Sequence, residues 1–396
     1  MLMSGGQVIK KNTVLVWLIK FQLVLMIIYE GWYLQKFTAI SGLLQLLAVT
    51  IIGTTLLLMW NMTLRGNKSI IYWGIFGVYS LISAFIINAD MTVVLDSIFT
   101  YFAFIAVVFC AGVVSRYTSD YSWFSKAILF VAVISAFCAL FYGVLYKNGD
   151  YYVTTMSDRN NPNTLGLVMG IGTFMAVFPE RPPRLLGWLI RIALLFVFLL
   201  VTVNTGSRSS LICELAVIAM FVYSKLKNAK GSLVDRIVRN TAIVLTVFIS
   251  ATVVISFFVS GNTTSSAVQR LVENFNSESF SGRTDLYDIA WEMYRENPIS
   301  GIGYNCFASM SGHGYFTHST YMELLACTGT IGFALFLWPV LTGTWRGVRA
   351  FKRDGGRSAT ILLMMLVSGF FGIVYYNMVF LMVLYIEILR IPKANI

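Results

Sequence analysis

Runs of about twenty apolar residues, separated by short polar connections, organise the chain from end to end. They fall at roughly 13–30, 38–62, 69–88, 92–115, 122–146, 163–179, 185–204, 208–226, 240–260, 318–341, 358–375 and 377–390. The last pair reads either as two spans or as one long tilted helix. As a helix, each run is long enough to cross a hydrocarbon core about 30 Å thick. Inside lipid a backbone must satisfy its own hydrogen bonds, so the runs predict helices. A closed barrel would show short alternating segments, and none stands out. The expectation is an all-α, polytopic bundle of about twelve transmembrane helices, a single integral membrane domain over 1–396. The chain begins with a short polar stretch followed by a full-length apolar run with no small-residue cleavage site, which reads as a retained first helix.

One connection is long. Residues 261–317 separate two spans, and long loops in compact proteins are often functional. Within it, Thr284–Glu296 has helical periodicity. Leu286, Ile289, Ala290 and Met293 form an apolar stripe, with Asp285, Asp288, Glu292 and Glu296 off it. Asn297-Pro298 should end the helix. A short amphipathic helix at the membrane surface is expected here.

Composition agrees with the pattern. The chain is 57% hydrophobic and 12% charged, against about 25% charged in soluble domains. The net charge of +11 would suit a nucleic-acid binder, but its placement argues for topology. With the N-terminus cytoplasmic, 21 of the 29 Lys and Arg fall on cytoplasmic segments, 7 on outward ones and Lys20 within the first span, as basic residues do in membrane proteins. Both termini are then cytoplasmic, loop 261–317 is extracytoplasmic, and nucleic acid is not a partner. Five cysteines without CxxC spacing point to neither a disulfide framework nor a zinc site.

The chain lacks a phosphate loop, HExxH, GxSxG and DxD, so ATP hydrolysis, metalloprotease chemistry and metal-dependent nucleotide-sugar transfer lose support. The outward basic residues are the candidates. Arg208, in Asn204-Thr-Gly-Ser-Arg-Ser-Ser210, opens a helix running inward. Its free N–H groups, the Ser207 and Ser209 hydroxyls and a planar guanidinium suit phosphate; the plainer reading is a snorkelling anchor. Arg283 enters the amphipathic helix and could instead pair with Asp285 or Asp288. Arg159 precedes another inward helix, where Asn/Pro turn chemistry alone explains its neighbours. His318 opens the 318–341 span; a helix dipole there favours neutral imidazole, able to accept a proton, although a helix cap is the plainer alternative. His313 sits in a Gly-rich loop and is less positioned. Asp96, Glu214, Glu323 and Glu387 lie in apolar spans, where acids are either functional or hydrogen-bonding helix partners. Glu323, about a turn and a half from His318, could support the same cavity. No metal or cofactor is expected.

Several stretches resemble the O-antigen polymerase and ligase superfamily (Wzy-type polysaccharide polymerases). They are Arg159-Asn-Asn-Pro-Asn163-Thr-Leu-Gly166, Thr205-Gly-Ser-Arg-Ser-Ser210, Ser281-Gly-Arg-Thr-Asp-Leu-Tyr287, Asn297-Pro-Ile-Ser-Gly-Ile-Gly-Tyr-Asn305, His318-Ser-Thr-Tyr-Met-Glu-Leu-Leu325 and Gly329-Thr-Ile-Gly332. The resemblance covers most of 155–340; Thr320 stands where polymerase relatives often carry Asn. It implies a GT-C-like, inverting, metal-independent glycosyltransferase in the bacterial cytoplasmic membrane. Its donor would be a glycan on undecaprenyl diphosphate. Arg208 and Arg283 would hold the leaving diphosphate, His318 would act on the acceptor hydroxyl, and Arg159, Asn163, Ser207, Ser209 and Glu323 would contact substrate. A polymerase, making O-antigen, capsule or exopolysaccharide, would take a second lipid-linked repeat as acceptor; a ligase would take lipid A-core. A flippase and a chain-length regulator would be partners. The rival classes are a transporter using Lys20, Asp96, Glu214 and Glu323, and a non-catalytic assembly subunit.

Overall fold

The structure, a computed structural model, describes residues 5–31, 41–59, 68–141, 144–148, 151–155, 162–181, 183–205, 207–227, 281–372, 375 and 377–391. The expected span at 240–260 lies outside the described residues. The architecture is helical. In chain order the helices are α1 Gly5–Gly31, α2 Ser41–Met59, α3 Lys68–Ile86, α4 Met91–Thr118, α5 Ser122–Phe141, α6 Pro162–Val177, α7 Leu185–Thr205, α8 Arg208–Lys227, α9 Ser281–Glu296, α10 Phe307–Met310, α11 Thr320–Arg349, α12 Phe351–Asp354, α13 Arg357–Ser368 and α14 Met378–Arg390. Five of these are long and apolar enough to cross a membrane: α3 over Ser69–Ile86, α4, α5, α7 and α11. Large apolar side chains such as Trp17, Leu57, Phe99, Phe141 and Leu186 stand exposed on them and on α1 and α2, which water would not tolerate over so wide an area. The segment 357–390 forms two helices, not one.

The span expected at 122–146 is corrected. The helix stops at Phe141, and Val144–Asn148 (β1) pairs antiparallel with Tyr151–Thr155 (β2) in the register Val144↔Thr155 to Asn148↔Tyr151. Val, Tyr and Thr favour a pleated surface.

The chain divides into two compact units. The first comprises 1–127, 287–342 and 373–390. Its centre is an aromatic cluster: Phe76 lies 5.4 Å from Tyr101, 5.9 Å from Tyr304 and 5.5 Å from Phe336, centroid to centroid. The indole N–H of Trp73 donates to the Phe336 carbonyl at 3.1 Å, one turn before the helix-interior Pro339. Lys20 is tied to Asp120 at 3.1 Å. Burial opposes ionisation of Asp120, but the Ser122 hydroxyl and N–H and the Lys20 ammonium outweigh it and hold the carboxyl down at about 2.

The second unit comprises 128–286, 343–372 and 391–396. Its core is small-residue packing, with Ala132, Ala136 and Ala139 of α5 against Leu165, Met169 and Ala176 of α6 and Phe198 and Val201 of α7. The C-terminal carbonyls of α6 are capped by two arginines. Arg191 donates to Met175 and Ala176, each at 2.9 Å. Arg357 donates to Phe178, pairs with Glu180 at 3.3 Å and stacks over Phe174. Cations belong at that end of a helix.

Candidate functional site

In the second unit, α6 and α8 run parallel, joined through the antiparallel α7, and their N-termini lie side by side. Pro162 begins α6, where a missing N–H costs nothing. Ser207 caps α8: its carbonyl accepts from Leu211 N–H at 3.1 Å and its hydroxyl faces Ser210 Oγ at 2.8 Å and Ser209 Oγ at 3.2 Å. The Ser210 hydroxyl then donates to the Asn163 carbonyl at 3.2 Å, bridging the two helix starts. Gly166 makes this approach possible. A Cβ there would lie 2.5 Å from both Cβ and Oγ of Ser210, so any larger residue would push the two ends apart. Each helix start carries about half a positive charge in its free N–H groups. Two of them adjacent, lined by hydroxyls, form a surface suited to an oxyanion. Arg208 occupies the first position of α8; its side chain lies outside the described residues. So do all of Arg159 and the side chain of Arg283, the third residue of α9.

In the first unit, His318 precedes the helix that it was expected to open. Helix α11 starts at Thr320, with Ser319 as N-cap: the Ser319 carbonyl accepts from Glu323 N–H at 3.0 Å. His318 is left-handed, φ 58°, a conformation that costs a non-glycine residue about 1–2 kcal/mol. Its flanks are pinned. The Thr317 N–H donates to Glu323 Oε2 at 2.9 Å, the Thr317 hydroxyl accepts from Ser319 N–H at 3.1 Å, and the same hydroxyl donates to the Ser319 carbonyl at 2.8 Å. Glu323 is completely buried beneath this turn.

The loop between α9 and α11 is built into the first unit. Helix α9 ends at Asn297-Pro298 as expected, with Leu286 and Ala290 buried and Asp285, Asp288, Glu292 and Glu296 exposed. Helix α11 is broken at Gly329, φ 62° and ψ −171°, a region essentially restricted to glycine. Residues 298–303 lie along the break. Ile302 and Gly303 N–H donate to the Ala326 and Cys327 carbonyls at 2.9 and 3.0 Å, and Thr330 N–H donates to the Pro298 carbonyl at 2.8 Å. Cβ atoms at Gly301 or Gly329 would run into the opposing backbone. Tyr304 plugs the aromatic cluster, 5.9 Å from Tyr101 and 5.8 Å from Tyr375. Asn305, also left-handed, donates to Ser97 Oγ at 2.8 Å. The Asn-Pro-Ile-Ser-Gly-Ile-Gly-Tyr-Asn and Gly-Thr-Ile-Gly stretches are therefore two halves of one clamp.

The remaining candidates separate. His313 lies in an exposed turn. Asp96 is exposed on α4. Glu214 is buried in the second unit and accepts from the Thr173 hydroxyl. Glu387 is buried in the first and pairs with Arg390 at 3.5 Å.

Many apolar helices and lipid-type exposed faces define a polytopic integral membrane protein. Residues 192–337 match the family model described as O-antigen ligase, a match consistent with the O-antigen polymerase and ligase superfamily. The match contains Arg208, Arg283, His318 and Glu323, and begins after Arg159 and Asn163. No curated protein matches the chain.

Proposed function

We propose that the protein is a glycosyltransferase that moves a glycan from undecaprenyl diphosphate onto a hydroxyl acceptor, on the outer face of the bacterial cytoplasmic membrane. The observation that carries this reading is the pair of abutting helix starts, α6 and α8, lined by Ser207, Ser209 and Ser210 with Arg208 at the first helical position. As the glycosidic bond breaks, negative charge builds on the leaving diphosphate. Fixed N–H dipoles and guanidinium groups stabilise that charge without reorganising, and each such donor is worth about 10²–10³ in rate. Arg208 and Arg283 hold the diphosphate, with Arg159 and Asn163 at its border. His318 takes the proton of the acceptor hydroxyl as the oxygen attacks the anomeric carbon from the face opposite the leaving group, which inverts the centre. About twelve spans, GT-C-like, with both termini cytoplasmic, complete this reading.

The acceptor we propose is a second lipid-linked repeat, which makes the protein a polysaccharide polymerase; the His318-Ser-Thr-Tyr-Met-Glu-Leu-Leu325 run supports this. The description of the matching family favours a ligase acting on lipid A-core as the second reading. Purified protein given lipid-linked repeats alone decides between them: a ladder of lengthened products marks a polymerase, and turnover only after lipid A-core is added marks a ligase. The same assay tests the diphosphate site. Arg208→Lys keeps the charge and loses the fork, and a loss of about 10²-fold in kcat is expected. EDTA should leave the rate unchanged. Near-normal turnover by Arg208→Lys would sink bidentate recognition, and inhibition by EDTA would sink the metal-free scheme.

A further inference from the structure

We propose that Glu323 is a positioning residue for His318: its buried carboxylate fixes the left-handed turn from which the imidazole is presented. The inference rests on the assignment of His318 to the acceptor. Ser319 holds the N-cap position of α11, its carbonyl accepting from Glu323 N–H at 3.0 Å. Glu323 lies one turn inside, fully buried, and reaches back past the cap to the Thr317 N–H at 2.9 Å. Its other oxygen, Oε1, is buried with no hydrogen-bond partner among the described residues. Burying a half-satisfied carboxylate is unfavourable, and a residue that merely filled space there would be apolar. What the carboxylate gains is the turn. The carboxylate holds the Thr317 N–H on one side of His318, and the Thr317 hydroxyl accepts from Ser319 N–H, in the peptide that follows His318, on the other. His318 itself has φ 58°, so these bonds brace a turn that its own side chain does not favour. This is the arrangement expected when a reacting group must be held to a fraction of an ångström.

The test is steady-state kinetics of purified variants with lipid-linked repeats, alongside membrane insertion and thermal unfolding in detergent. Glu323→Gln keeps an acceptor oxygen in the same place and should stay within about threefold of the parent. Glu323→Ala frees the turn and should lower kcat by about 10²-fold with KM unchanged. Thr317→Val removes only the hydroxyl staple and should lower kcat by about tenfold with KM unchanged, which keeps the idea testable should Glu323→Ala not fold. In a His318→Ala background, Glu323→Ala should cost nothing further. Equal loss in Glu323→Gln and Glu323→Ala would mean that the charge itself acts, and would overturn the positioning role. So would a normal kcat in both Glu323→Ala and Thr317→Val. Normal turnover by His318→Ala would instead overturn the assignment of His318.

Discussion

Replacing Gly329 by alanine puts a methyl group where the structure has none to spare. Its Cβ would collide with the Ile299 carbonyl and sit 2.7 Å from Ser300 N, both backbone, so no side chain can swing aside. The φ/ψ pair of Gly329 adds about 1–3 kcal/mol of strain for any other residue. Relieving the collision means lifting 298–303 off the broken helix. Losing two of its hydrogen bonds, such as Thr330 N–H to Pro298 and Gly303 N–H to Cys327, costs about 1 kcal/mol each. The total is about 3–5 kcal/mol. A thiol-reactive fluorophore during thermal unfolding in detergent reads the effect, because Cys306 and Cys327 border the clamp and neither is exposed. Burial also pushes the Cys306 thiol up to about 11, so it stays unreactive until the clamp opens. Gly329→Ala should label at a clearly lower temperature. Gly74→Ala in the same unit, where a Cβ meets nothing within 4 Å, should label like the parent. Coincident curves for all three proteins would refute the clamp as a source of stability.

Three further outcomes are expected. Gly166→Ala should separate the starts of α6 and α8 and lower kcat/KM by about tenfold or more with the protein still inserted, as measured by polymer formation. Arg357→Met should destabilise the second unit by about 3 kcal/mol, because Glu180 and the end of α6 lose a buried cation; the unfolding temperature in detergent checks this. Asp120 is held below its unfolded value, so its contribution is present above about pH 4 and fades as pH falls towards 2. The carboxylate is 43% exposed, so screening leaves under about 1 kcal/mol. Asp120→Asn should remove that increment at pH 7 and flatten the acid limb of the unfolding profile.

Hydropathy revealed the helices because exclusion from water acts on each run of side chains separately. It also revealed α9, whose stripe of Leu286 and Ala290 has a helical period. It was blind to partners distant in sequence. Gly329 and Gly301 were legible only as motif letters, yet each is required by a backbone that approaches from some 30 residues away. The hairpin had a local signal, Val-Leu-Tyr-Lys-Asn-Gly-Asp-Tyr-Tyr-Val-Thr-Thr from 144 to 155, with β-branched and aromatic residues around Gly-Asp. An adjoining apolar run masked it, since an apolar helix and a short apolar strand look alike in a hydropathy window. The pairing of α6 and α8 was anticipated only as two N-termini on one side; their contact depends on Gly166, whose lack of a side chain leaves no trace in a hydrophobicity scale. His318 was placed two residues too far into the helix because Ser and Thr beside it can each cap.

The break at Gly329 also says something about biogenesis. The amides that complete the interrupted part of α11 belong to residues 302 and 303, which leave the ribosome before α11 does. The helix thus meets its missing partners already made, and enters the bilayer with two carbonyls that only that earlier segment can quench. Insertion of α11 and docking of the preceding segment should then be one event, and the amides of Ile302, Gly303 and Thr330 should exchange with solvent deuterium together, as a single opening.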